Sequence, residues 1–423
     1  MTGLVPARTL LDNGVVVLAK ETHTTPAVTI DLAMRAGSIC DPAGAPGATH
    51  LLSRVIDRGT TTQDAEQIAE ELDSRAVALT ITVTRHLFSV VCTCLAEDFE
   101  PILALLGDIL VSPSLPEGEL ATRKGEVITA IRQDEDNPAV RATEALMALL
   151  YPDGHPYGRP SKGNVEIVEA LTREHLAALH TGRFGPSELT AIIVGDVEAP
   201  RATGVAERVF GGWHTPPPPS IVPAPVAAAT RRRRVVVPMM NKAQADIAYG
   251  FTAIRRADPA YYAFWLMNNA LGQYAIGGRL GDSIRERQGM AYYVFSSLDA
   301  NVAEGPLVIR AGVGPANVDR AIASIDEELT QVRDGGLTEK EIAESRQYVI
   351  GSMPQTLETN AGIAHFLQGA EFFGLGLDYD VRLPALVGAV TLDDVCAAAR
   401  RVLDPDGATI VIAGPYEETR SPA

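Results

Sequence analysis

Apolar residues recur at helical spacing across Leu51, Leu52, Val55 and Ile56, so one stripe of this segment faces a core. Pro46 and Gly47 stand before it and Gly59 after it, where a helix starts and stops. Upstream the period is that of strands. Leu11-Asp-Asn-Gly14 is a turn signal of the kind that joins hairpin strands. Val15–Leu18 follows as a strand, and Ala27–Arg35 as a second with alternating apolar positions. Downstream the pattern predicts a helix over 63–74, a strand pair across 78–95, and helices over 97–111 and 117–150.

The clearest boundary is proline-rich. Pro216–Pro219, Pro223 and Pro225 put six prolines into ten residues, which continues neither a helix nor an inner strand and gives a stiff, extended spacer. Arg231–Arg234 follows as the solvated entrance to a strand at Val235. The segments on either side look like copies. Leu171-Thr-Arg-Glu-His-Leu176 leads through a helix to a β-rich run ending at Gly195, and Val390-Thr-Leu-Asp-Asp-Val395 leads likewise to Gly414. The differences 391 − 172 and 414 − 195 are both 219. Thr338-Glu-Lys-Glu341 adds a capping box to the second copy. The predicted division is a first domain over 1–214, a linker over 215–230 and a second domain over 231–423.

Composition narrows the partners. A chain of 423 residues has room for two or three domains with proper cores. A net charge of −17 argues against nucleic acid or an anionic membrane as the main partner. No run approaches the roughly eighteen apolar residues of a membrane span. The first residues carry neither an apolar signal core nor an Arg-rich transit pattern, so a cytoplasmic location is expected. Cys92 and Cys94 lie two apart in a predicted strand, face one side and read as buried core thiols. His155, flanked by Gly154 and Pro156, reads as a loop residue.

The candidate chemistry lies on the Leu51–Ile56 helix. Residues three and four apart share a helix face, so His50, Ser53 and Arg54 point the same way. His50-Leu-Leu-Ser53-Arg54 has the spacing of H-x-x-E-H, the inverted zinc-protease motif, with its glutamate replaced by serine and its second histidine by arginine. With Gly47 before His50 and Gly59-Thr60 after it, the segment closely resembles the core of the insulinase/pitrilysin family, the mitochondrial-processing-peptidase family or M16. Gly154-His-Pro-Tyr-Gly-Arg-Pro160 resembles the same family. In that family a third zinc ligand, a glutamate, comes later in a helix resembling Arg123–Pro138; here its position falls on Ala130. Zinc takes deprotonated N, S or O ligands, three from the protein in a catalytic site. Arg54 has no lone pair to offer and places a positive charge where the metal would sit. Ser53 is no general base near neutral pH, and Ala130 offers nothing. The set at His50, Ser53, Arg54 and Ala130 is therefore expected to bind no metal.

The resemblance implies an α+β fold of two tandem homologous α/β domains, each a mainly antiparallel sheet with helices packed on one face. It also points to Gly277-Gly278-Arg-Leu-Gly-Asp-Ser-Ile-Arg285-Glu-Arg-Gln-Gly289-Met-Ala-Tyr292, which reads as a glycine-rich loop, a helix stopped at Gly289 and a strand. In catalytic members an Arg and a Tyr seven apart reach the zinc site from another domain or subunit; here they are Arg285 and Tyr292. Gly277, Gly278, Arg285 and Tyr292 are thus the expected peptide-binding residues. The run Gly272-Gln-Tyr-Ala-Ile-Gly277 is bulkier than the family's usual glycines and small residues. The resemblance, with its lost ligands and retained Arg/Tyr pair, implies a non-catalytic subunit of a heterodimeric zinc metallopeptidase. Such a subunit is inactive alone, takes peptide as substrate and relies on a homologous H-x-x-E-H subunit for the zinc. The competing expectation is a proteolytically inactive scaffold or peptide-binding homologue; retention of Arg285 and Tyr292 favours the subunit, because a scaffold has no use for them.

Overall fold

A computed structural model describes residues 3–273 and 278–417 of the chain. In chain order it holds β1 (Ala7–Leu10), β2 (Val16–Glu21), β3 (Ala27–Met34), α1 (Ala48–Val55), α2 (Ala65–Ser74), β4 (Thr80–Val83), β5 (Phe88–Leu95), α3 (Phe99–Val111), α4 (Glu117–Glu135), α5 (Pro138–Leu150), α6 (Val165–Ala170), α7 (Arg173–Arg183), β6 (Leu189–Gly195) and α8 (Ala199–Phe210). There follow β7 (Arg233–Pro238), β8 (Ala245–Thr252), α9 (Tyr261–Asn268), α10 (Gly278–Leu280), β9 (Ala291–Leu298), β10 (Pro306–Val313), α11 (Val318–Thr330), α12 (Glu339–Thr356), α13 (Asn360–Phe372), α14 (Tyr379–Gly388), α15 (Leu392–Val402) and β11 (Thr409–Gly414).

Two sheets repeat one topology. The first runs β1-β2-β6-β3-β5-β4 and the second β7-β11-β8-β10-β9. In the first only β2–β6 is parallel, in the second only β7–β11, and every other pairing is antiparallel. The expected duplication is therefore present strand for strand, with β1 as an addition to the first copy. Its sequence markers occupy equivalent places. Thr172 and Thr391 each close a capping box, at α7 and α15. Gly195 and Gly414 end β6 and β11 at φ +150° and +142°, and a Cβ at Gly195 would lie 2.2 Å from the Ala27 carbonyl oxygen. That backbone region and that approach exclude other residues.

The compact units do not follow the contiguous division into 1–214 and 231–423. One comprises Met1–Arg132, Pro160–Ile221 and Pro354–Val381, and the other Gln133–Arg159, Val222–Met353 and Arg382–Ala423. The exchanged pieces carry α5 and α13. They also change the expected layering, because helices cover both faces of a sheet rather than one. In the first unit Val17, Ala19, Val28, Ile30, Ala191 and Ile193 face the main core with α1, α3, α7 and α8. The alternate residues Leu18, Ala33, Ile192 and Val194 pack on Ile363, Ala364 and Leu367 of α13. In the second unit β8 passes under α5 so closely that a Cβ at Gly250 would lie 2.8 Å from Leu146. The helix expected across 117–150 is broken, because Asn137 caps α5 by accepting the Ala139 N–H at 3.0 Å and Pro138 takes the first turn.

Other expectations hold. The hairpin turn at 11–14 joins β1 to β2, with Gly14 N–H on the Leu11 carbonyl. Cys92 and Cys94 lie in the first core, where burial pushes their thiols up to about 12 and 11. His155 is a satisfied loop residue: its Nδ1 accepts the Tyr157 N–H at 3.1 Å, leaving Nε2 to donate to the Ala224 carbonyl at 3.0 Å. The Arg231–Arg234 run is the largely exposed strand entrance expected, with Arg232 paired to Asp326 at 2.8 Å and Arg234 to Asp319 at 2.7 Å, both on α11.

The α13 face of the first sheet buries one carboxyl. Asp31, 3 % exposed, receives Gln368 Nε2 at 2.9 Å, and the same amide nitrogen reaches Ser89 Oγ. Burial pushes Asp31 up to about 7, against the lowering effect of Gln368. A carboxyl whose folded pKa is raised stabilises the fold least when ionised. The contribution is full below about pH 4 and falls as pH rises to about 7, a loss on the order of 4 kcal/mol. Asp31→Asn should therefore exceed the wild type in urea stability at pH 8 and converge with it near pH 4. A difference independent of pH would show that Asp31 is not the titrating group.

Candidate functional site

The helix singled out by the sequence is α1. Its start is held from upstream: buried Asp41 accepts the Gly47 N–H and the Thr49 N–H, both at 2.7 Å, and the Thr49 hydroxyl at 2.6 Å. Leu51, Leu52 and Val55 are fully buried, which fixes the helix rotation and leaves His50 half-buried and Arg54 exposed. Ser53 is buried, and its hydroxyl donates to the His50 carbonyl at 2.7 Å. Ala130 lies on α4, half-buried. The structure brings α1 and α4 together, with Arg54 Nη2 3.9 Å from Glu126 Oε2, one helical turn before Ala130.

Charges fill the place that the zinc motif would give to a metal. On α4, Arg123 bonds both Glu126 and Glu119, at i+3 and i−4. Just beyond α1, Arg58 pairs with Asp57 at 3.0 Å. The Arg123 hydrogen bond, then the charges of Arg123, Arg54 and Arg58, hold Glu126 below the usual carboxylate range. Burial pushes Asp57 up, and the same three arginines oppose it. Sequence reasoning missed this network, although the i,i+3 and i,i+4 spacings on α4 were a usable signal. The donor set does not fit zinc: Arg54 brings a cation, the Ser53 hydroxyl is spent within the helix, and Ala130 has no donor. Among the described residues no group of three His, Cys, Asp or Glu side chains is placed to hold a metal ion.

The second constellation lies in the other unit. Gly277 falls outside the described residues. Gly278 has φ +56°, and a Cβ there would stand 2.3 Å from the Ala270 carbonyl oxygen, so the turn requires glycine. α10 runs into a wide π-helical turn, Gly281–Arg287; Leu280 at the end of α10 and Ile284 within the turn are fully buried. The turn ends at Gly289, φ +61°, whose N–H bonds the Arg285 carbonyl while the Met290 N–H bonds that of Ile284. Arg285 is thus carried on the exposed side, with Glu286 3.6 Å from its Nε.

Tyr292 is turned outward by a defect in the sheet. On the edge strand β9, Tyr293 pairs with Gly312 but Ala291 with the very next residue, Val313, so Tyr292 is the extra residue of a bulge. Val294 and Ser296 face inward, and unbroken alternation would turn Tyr292 inward with them. Instead Ala291 is buried and Tyr292 is 73 % exposed. The Arg285–Gly289–Tyr292 order expected from the sequence is present; the bulge that exposes the ring was not legible there.

A duplicated α+β unit, with an H-x-x-E-H-like helix in its first copy, defines a protein of the metallopeptidase-like class. Residues 16–160 match the family model for insulinase, peptidase family M16, and residues 170–349 match that for the peptidase M16 inactive domain. The chain belongs to peptidase family M16. It is 25% identical over 419 residues to an uncharacterized zinc protease of Streptomyces coelicolor, covering 98% of this chain and 90% of that protein. It is 24% identical over 401 residues to the uncharacterized zinc protease YmxG of Bacillus subtilis, covering 95% and 96%. The crystal structure of a peptidase M16 inactive domain from Pseudomonas fluorescens superposes with TM-score 0.91 at 24% identity, over 99% of this chain and 100% of that one. That of a protease from Helicobacter pylori superposes at 0.88 with 16% identity, over 96% and 99%. Among the described residues no helix is long and apolar enough to cross a membrane.

Proposed function

We propose that this chain is the non-catalytic subunit of a heterodimeric M16 zinc peptidase. It holds no catalytic zinc itself; the metal and the base belong to a homologous subunit with an intact H-x-x-E-H. Its own part is to hold the peptide. Arg285 donates to backbone carbonyl oxygens of an extended segment, and Tyr292 donates its hydroxyl to the oxygen on which negative charge develops as the peptide bond is attacked. The observation that carries this reading is the bulge at Tyr292. The bulge turns outward, to 73 % exposure, a ring that regular pairing of this edge strand would turn inward, and bulges of this kind re-aim side chains next to active sites. Arg285, on the neighbouring turn with one exposed neighbour for its charge, supports it.

Pairing is the first consequence to test. Co-expression with a homologue carrying intact H-x-x-E-H should give one peak of heterodimer size on size-exclusion chromatography, with zinc following the partner after dialysis. A stable pair of this kind buries on the order of 1,200–2,000 Å² or more. Separate elution of the two chains as monomers, or about one zinc per copy of this chain that is lost on mutating His50, would refute the proposal.

A further inference from the structure

The turn that carries Arg285 is anchored at its start by an ion pair that its own sequence does not suggest. Arg279 follows Gly278 directly, and its guanidinium meets Glu341 as a two-pronged fork, Nε on one carboxylate oxygen and Nη2 on the other at 2.9 Å. Nη2 also lies 3.4 Å from the Gly336 carbonyl oxygen. Glu341 is itself held: it accepts the Thr338 N–H and the Thr338 hydroxyl, both at 2.7 Å, in the capping box that starts α12. Burial raises the Glu341 carboxyl, but the Arg279 fork and the two Thr338 bonds outweigh it and bring it down to about 2. The pair therefore stays ionised throughout the neutral range.

The rest of the turn is fixed by apolar burial and by weaker polar bonds. Leu280 and Ile284 enter the core, and at the far end Gln288 reaches Ser283 at 3.4 Å and Ser324 at 3.2 Å. Between these anchors the wide π-helical turn leaves Arg285 on the surface. Such turns depart from regular helical hydrogen bonding and occur often at functional sites. A bidentate arginine–carboxylate fork fixes direction as well as distance, which a lysine or an apolar contact does not.

We propose that Arg279 is a positioning residue: by locking the glycine turn to the start of α12, it sets the rotation of the turn that presents Arg285 to the peptide. This rests on the peptide-holding role assigned to Arg285. Arg279 itself touches no substrate; its effect passes through Arg285.

The test is a double-mutant cycle on the purified chain, read as the affinity for fluorescein-labelled oxidised insulin B chain by fluorescence anisotropy. Arg285→Ala should weaken binding about 10- to 100-fold, as loss of a charge-assisted hydrogen bond does. Arg279→Ala should weaken it to a similar extent, Arg279→Lys should recover only part, and Glu341→Gln should follow Arg279→Ala. In the Arg285→Ala background, Arg279→Ala should add less than about twofold, since residues acting as one unit do not add. Full additivity, or wild-type affinity in Arg279→Ala, overturns the positioning role and leaves the reading of Arg285 standing. A wild-type chain that does not bind the peptide, or an Arg285→Ala variant that binds as well as wild type, overturns that reading and the positioning role with it.

Discussion

Replacing Tyr292 with Phe is expected to lower kcat of the assembled peptidase by about 10²–10³, the usual consequence of removing one donor to a developing oxyanion. The substitution keeps the ring and the bulge and removes only the hydroxyl, so KM, assembly and zinc content should change little. A kcat loss with KM unmoved marks an interaction made in the transition state and absent from the ground state. Arg285→Ala should differ in kind, raising KM as well as lowering kcat, because a clamp on backbone carbonyls acts before and during the reaction. The geometry favours this contrast: Tyr292 is placed by the pairing of β9 with β10, while Arg285 is placed by the turn between Leu280 and Gly289. If both variants assemble normally and cleave peptide at the wild-type rate, the pair has no part in the chemistry. The chain would then be a scaffold.

The other large effect concerns the metal. Arg54→His together with Ala130→Glu should convert a chain without zinc into one that retains about one zinc per molecule after dialysis, because His50 and the two new side chains then make up the three protein ligands of a catalytic site. The structure makes this reachable: Arg54 and Glu126 already approach to 3.9 Å between α1 and α4, and Ala130 lies one turn further along. Arg54→His gives up that exposed ion pair, worth about 0–1 kcal/mol, together with one of the three arginine charges that face Asp57. By contrast, Ser53→Glu with Arg54→His should bind no zinc, since Ala130 leaves the site a ligand short. Metal content and the rise in melting temperature on adding zinc check both, because a ligand that binds only the folded state stabilises it. Zinc retained by the second variant, or no zinc in the first, would mean that the ligand positions have been misassigned.

Much of this protein was legible because its signals are short. The stripe Leu51, Leu52, Val55 and Ile56 fixes which side of α1 is buried, and hence that His50 and Arg54 share the other side. Thr172 and Thr391 cap their helices from within three residues, and Gly289 stops its turn locally. The loss of zinc-ligand chemistry at Ser53, Arg54 and Ala130 also needs only residue types. Even the two-sided burial had a trace in the sequence. The unbroken apolar runs Ala191–Val194 and Ile410–Ala413 lack the alternation of a strand with one wet face.

The cover on those second faces was decided by tertiary structure. Nothing within α13 or α5 says which sheet it will lie on. The answer depends on partners as distant as Gln368 and Asp31, 337 residues apart, and the contiguous domain division failed at that point. The bulge at Tyr292 has the same origin: whether one or two residues oppose Gly312 and Val313 depends on how β9 and β10 pair, not on β9 alone. The Arg279–Glu341 fork spans 62 positions and joins two turns that only the folded sheet brings together. Periodicity and capping act within a few residues and so are written into the sequence. Register, two-sided burial and ion pairs between elements arise from the competition of whole elements for buried surface, and only the folded chain determines them.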